Sequence, residues 1–132
     1  MKDLLCDQFQ ETVGEYLIRH RSVLDIMAKL QEANARVNRA LTKSVTSCGC
    51  IKISGEKQQF PTDVPLEQLK DHTQNHVSGK LCDHCREVVE AEIGNNLFYL
   101  AALCNAFDLN LYDIMLKEHK KLAALGVFNF AD

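Results

Sequence analysis

The sequence predicts an all-α protein, an antiparallel bundle of about four helices with one irregular insertion. Three observations carry this. Apolar residues recur at every third and fourth position over long stretches, the period of a helix face. Only two prolines occur, Pro61 and Pro65, and both fall in one short segment, so the long stretches lack helix breakers. The chain has 132 residues, 46% of them hydrophobic, enough to bury a core without disulfide help. One domain is expected over 1–132, with 46–81 as the insertion.

The first helix is expected over 3–20, where Leu5, Phe9, Val13, Tyr16, Leu17 and His20 form a stripe. Ser22 and Asp25 make an S-x-x-D start signal for a second helix, 22–45. Its stripe is Val23, Ile26, Leu30, Ala33, Val37, Ala40 and Ser44, widened by Met27 and Leu41. Glu32 and Arg36 lie one turn apart and can pair. After the break at Thr46–Cys50, Ile51-Lys52-Ile53 alternates and reads as a short strand or extended arm. Thr62–Glu67 opens a short helix that runs to about Asn75, where Ser78-Gly79 follows as its stop. A third long helix, 82–107, is apolar nearly all round, which predicts burial. A fourth begins at Asn110. Leu111, Ile114, Met115, Leu122 and Leu125 give its apolar side, and Gly126 its C-cap. Val127–Phe130 is too apolar for a free tail and should dock on the domain or a partner.

The six cysteines are unevenly placed. Cys48-Gly49-Cys50 and Cys82-Asp83-His84-Cys85 are C-x-C and C-x-x-C pairs about thirty residues apart, a spacing that suits tetrahedral zinc taking two thiolates from each of two tight turns. One pair ends helix 22–45 and the other starts helix 82–107. Antiparallel neighbours would bring those ends together, and a helix N-terminus stabilises thiolates. A redox dithiol at Cys82 and Cys85 lacks a surrounding βαβ pattern, and disulfides would need an oxidising compartment. His84 is a possible substitute ligand. His72 and His76 stand at i, i+4 on the short helix, a second candidate pair. Cys104 lies in the apolar stripe and reads as a core residue, and Cys6 stands alone. A closed four-thiolate site leaves no position for water, so the zinc would be structural.

Charge and hydropathy exclude some functions. Net charge is −3, which argues against holding nucleic acid by bulk electrostatics. No apolar run reaches the ~18 residues of a membrane span, and the start of the chain carries no signal-peptide pattern. A cytoplasmic location is the expectation.

Helix 82–107 holds Val88, Glu92, Asn95 and Tyr99 on one stripe, with Glu90 nearby. A buried acid there needs a partner, and Arg36 or Arg39 is the obvious one. The segment Glu92-Ile93-Gly94-Asn95-Asn96-Leu97-Phe98-Tyr99-Leu100, then Phe107–Ile114 and a Lys-rich last helix, resembles the second half of the all-α nucleoside-triphosphate pyrophosphohydrolases, the MazG-like proteins. Leu30–Val37 is similar to their earlier acidic helix. The resemblance implies a Mg²⁺ and nucleotide site at Glu32, Glu92 and Asn95, and pairing of chains into a homodimer or tetramer. Ala35 stands where the family has a second glutamate and Asn95 where it has an aspartate, so the implied magnesium site is degenerate. The reading is therefore a zinc-binding, MazG-like helical protein without catalysis that binds a nucleotide or works by oligomerisation. The alternatives are an active Mg²⁺-dependent nucleoside-triphosphate pyrophosphohydrolase and a zinc-knuckle adaptor using Lys52, Lys57 and Lys80.

Overall fold

The structure is a computed structural model and describes residues 2–126. Of these, 69% are helical, with one two-stranded sheet. In chain order the elements are α1 (Lys2–Tyr16), α2 (Val23–Lys43), a π-helical turn (Ser44–Cys48), β1 (Ile51–Ile53), a 3-10 turn (Leu66–Asp71), β2 (Val77–Gly79), α3 (Asp83–Ala106) and α4 (Leu111–Leu125). The expected docking of Val127–Phe130 lies outside the described residues.

The long helices start where side chains satisfy their free N–H groups. Ser22 caps α2, its Oγ accepting from the Leu24 N–H at 3.3 Å, and Asn110 caps α4, its Oδ1 accepting from Asp113 at 2.8 Å. In the α2 stripe Ile26, Ala33 and Ser44 are buried, and Val23, Leu30, Val37 and Ala40 half-buried, but Met27 and Leu41, expected to widen it, are exposed. Two features at the start of the chain differ from expectation. α1 stops at Tyr16, not His20, because Leu17 makes the last helical bond to Val13 and the chain turns into the Ser22 cap. Its packed stripe is Cys6, Phe9, Gln10, Val13 and Leu17, which leaves Leu5 and Tyr16 exposed.

α2 and α3 run antiparallel along their length. Ile26 shares a core cluster with Ala101 and Ala102, Glu32 and Arg36 line a cavity with Asn95 and Tyr99, and Cys48 meets Cys82. The other extensive helix contacts are α1 on α3 and α4 on α1. Each helix contributes to the core cluster of Val13, Ile26, Ala101, Ala102, Cys104 and Leu111. Cys104 is a core residue, as its stripe implied. Because the main contacts run in a row, apolar side chains outnumber the surfaces that could cover them. Val88, Ile93, Leu97 and Phe107 on or beside α3 are exposed, against the expected burial all round. Ile114, Met115, Leu122 and Leu125 of α4 are likewise uncovered.

The insertion is organised as a small hairpin. Ile51–Ile53 pairs antiparallel with Val77–Gly79, in register Ile51 to Gly79. Ser78-Gly79 is thus strand and not a helix stop. The expected helix to Asn75 shrinks to the 3-10 turn Leu66–Asp71, and His76 takes a left-handed φ of 63°. Gln58 holds the wide loop closed: its Nε2 donates to the Gln74 carbonyl at 2.6 Å and its Oε1 accepts from the Gln74 N–H at 3.1 Å.

One buried polar residue ties three elements together. Gln10 Nε2 donates to Asn105 Oδ1 (2.9 Å) and to the Leu109 carbonyl (2.7 Å), while its Oε1 accepts from the first N–H of α4, at Leu111 (2.8 Å). Asn105 returns a bond to the Gln10 carbonyl at 3.0 Å. Gln10→Leu should leave these groups without partners and lower stability by about 2–4 kcal/mol, read as a fall in the urea midpoint at unchanged slope.

Candidate metal centre

The two cysteine pairs are delivered by different backbone devices. At the end of α2 the chain widens into the π turn, closed by the Gly49 N–H on the Ser44 carbonyl at 2.9 Å. Gly49 sits at φ 80°, a left-handed position that glycine takes without steric cost, and this turns Cys50 back beside Cys48. Ser44 is 1% exposed, with its hydroxyl on the Ala40 carbonyl at 3.0 Å, so the turn is built on a fixed base. The second pair opens α3. Cys82 is its N-cap, and its Sγ accepts from the Cys85 N–H at 3.4 Å. The hairpin joins the pairs. Gly79, at φ 86°, passes so close that a Cβ there would lie 2.6 Å from the Cys50 carbonyl oxygen, so the crossing requires glycine.

These devices place the Sγ atoms of Cys48, Cys50, Cys82 and Cys85 all within 4.8 Å of one another. The Cys48–Cys82 separation is 3.8 Å. A regular tetrahedron with Zn–S bonds of about 2.3 Å has an edge of about 3.8 Å. Four thiols in that space fit one tetrahedral ion of the zinc class, and Cys85 is buried where Cys48 is exposed, so the cluster sits at the rim of the fold. Among the described residues no other set of three or more Cys, His, Asp and Glu side chains is close enough to share an ion. Cys6 and Cys104 lie apart, against Met115 and in the core respectively. His84 lines a cavity beside the cluster, with Lys43 and Ser47, without joining the four sulfurs. His72 and His76 are not on one helix, since the 3-10 turn ends before them.

Electrostatics order the thiols. The Cys85 N–H, reinforced by neighbouring sulfurs, lowers the Cys82 thiol to about 7. The Cys85 thiol is pulled down by Ser44, but its three neighbouring sulfurs and burial outweigh this and push it up to about 12. Cys82, placed at a helix N-terminus, therefore ionises before Cys48 and Cys85, whose thiols are raised.

The residues of the implied magnesium site lie elsewhere, across the α2–α3 groove. Glu32, Ala35, Arg36 and Glu92 line one cavity, and Glu32, Arg36 and Asn95 an adjoining one. The Glu32 carboxylate is held by Lys29 at 3.5 Å and Arg36 at 3.3 Å, and its pKa is lowered chiefly by Lys29. Glu92 faces the groove without the expected ion pair to Arg36 or Arg39.

No family model matches the chain, and neither does a curated protein or a solved structure. No helix among the described residues is long and apolar enough to cross a membrane.

Two outcomes follow from this geometry. The purified protein should carry one zinc per chain. Cys82→Ser should abolish it and lower the melting temperature, whereas Cys104→Ser should leave the zinc content at one per chain, by elemental analysis. Protons compete with the metal for sulfur, so acid weakens binding. At least one thiol proton is displaced per ion below pH 8, and the apparent zinc affinity should rise at least tenfold per pH unit from 6 to 8 in competition with a chromophoric chelator.

Proposed function

We propose that the protein is a zinc-stapled helical interaction protein, MazG-like in its bundle, that acts by self-association and binding rather than by magnesium-dependent hydrolysis. The observation that carries the zinc part is the four-sulfur cluster at the joint of α2 and α3. A closed thiolate shell has no open position for a water or substrate, so its role is to hold the fold. The likeness of residues 92–114 to the pyrophosphohydrolases supports the bundle. Against hydrolysis stand Ala35 in place of a carboxylate, Asn95 in place of another, and the two cations that already occupy Glu32. Hard Mg²⁺ needs charged oxygens that this groove does not supply.

Self-association is supported by one side of the α2–α3 pair. Met27 on α2, 54% exposed, and Ile93 and Leu97 on α3, 45% and 46% exposed, lie on the turns that face away from the Arg36 groove. Successive residues rotate by about 100°, which places Met27 about half a turn from Arg36 and Ile93 about half a turn from Asn95. Asn34 lies beside Met27, and exposed Arg86 and Glu90 stand one heptad before Ile93 and Leu97 on α3, charges of opposite sign that are self-compatible across a two-fold axis. Exposed apolar side chains grouped on one side of a helix pair in this way favour an interaction surface. Sedimentation at micromolar concentration should give twice the 14.9 kDa chain mass or a multiple of it, and Leu97→Lys should return the chain to monomer with its zinc retained. A wild-type monomer would end this reading while leaving the metal centre untouched.

A further inference from the structure

The four thiols of the metal centre are unequally accessible. Cys48 is exposed, Cys50 and Cys82 are half-buried, and Cys85 is buried. A cavity of about 230 Å³ borders Cys48 and Cys85, and its polar lining of Lys43, Ser47 and His84 suits a small polar solute. Cys48 is the sulfur that such a solute meets first. Across the joint, its Sγ lies 3.8 Å from that of Cys82.

Those two sulfurs are also the ones best placed to bond directly. A disulfide is about 2.05 Å long, so closure asks for a shift of under about 2 Å. Both residues stand at element ends: Cys48 is the last of the π turn and Cys82 the N-cap of α3, so their side chains can swing without unwinding a helix. The other two are less free. Cys50 directs its Sγ at the Ser44 carbonyl, 3.8 Å away, and a bond inside Cys48-Gly49-Cys50 would close a strained ring over one residue. Cys85 is fixed in the buried first turn of α3. A Cys48–Cys82 bond would join the same two chain ends as a shared metal ion, across 34 positions of sequence.

We infer that the centre is an oxidation site for hydroperoxides, at which Cys48 and Cys82 replace a shared metal ion with a direct disulfide that keeps α2 and α3 stapled. The Cys48 thiolate attacks one peroxide oxygen. An S–O bond forms, the O–O bond breaks, and the leaving hydroxide or alkoxide takes a proton from solvent. The Cys82 thiolate then attacks the Cys48 sulfur. The S–S bond forms, the S–O bond breaks, and the second hydroxide is protonated to water. Each sulfur gives up one electron, and the peroxide takes two. Cys50 and Cys85, one from each pair, are too few to retain the ion against a chelator. The metal-release part rests on the zinc reading above, whereas the disulfide part rests on the thiol geometry alone.

The test treats the zinc-loaded full chain with hydrogen peroxide beside a chromophoric zinc chelator, then alkylates the remaining thiols and maps the cross-links by peptide mass. One zinc released per disulfide is expected, with Cys48 linked to Cys82 and with Cys6, Cys50, Cys85 and Cys104 alkylated. Dithiothreitol with added zinc should reverse both changes. The same treatment of reduced, metal-free protein should give the same link and raise its melting temperature, since the link closes the excursion. That arm separates the two readings: a chain that never holds zinc would end the zinc assignment and leave the disulfide to be scored. A main product linked within either pair, oxidation confined to Cys6 or Cys104, or thiols left intact while a free cysteine control is consumed would each overturn the inference.

Discussion

Everything C-terminal to α2 depends on closing one long excursion. Cys48 and Cys82 are 34 residues apart in sequence and 3.8 Å apart in space. The segment between them has little to hold it: two three-residue strands, a 3-10 turn and the Gln58–Gln74 clasp. Only Ile51 within it is a buried hydrophobic. Loop closure on this scale costs entropy that so small a sheet does not recover. Four thiolates on one ion would recover it, because zinc binding free energy becomes folding free energy, several kcal/mol or more in small metal-stapled domains. An ion held there would also fix the register of α3 against α2, and with it which side chains meet across the groove.

That register gives the spine two unlike sides. The same antiparallel pair exposes uncharged Met27, Ile93 and Leu97 on one side and gathers Arg36, Arg39 and Lys43 on the other. Neither side follows from core packing, which uses the strip between them: Ile26, Ala33, Val89 and Ala102. A one-turn slip at the cysteine joint would displace α3 by about 5.4 Å and separate Glu92 from Arg39. Lys43 lines both the groove and the cavity beside the thiols, so the charge of a filled metal centre reaches the edge of the groove.

The parts legible in the sequence were those set by local chemistry. Cysteine spacing located the cluster, the Ser22 cap and its stripe located α2, and Asn110 and Gly126 bounded α4. What was illegible depended on distant partners. α1 seemed to run to His20 because apolar spacing continues past Tyr16, while the chain leaves the helix to reach the Ser22 cap. Val77–Gly79 is strand only because Ile51–Ile53 lies beside it, and Gly79 looked like a helix stop because its reason, the Cys50 carbonyl, is 29 positions away in sequence. Gln10 carries no sequence signal: its partners Asn105, Leu109 and Leu111 come from the far end of the chain. The apolar character of α3 predicts burial, yet Val88, Ile93 and Leu97 stay exposed beside the described helices.

The most direct test of the central claim is X-ray absorption at the zinc edge of the purified protein. The account predicts a single shell of four sulfur atoms at about 2.3 Å. A shell containing nitrogen or oxygen, or a protein that folds fully with no zinc bound, would contradict it.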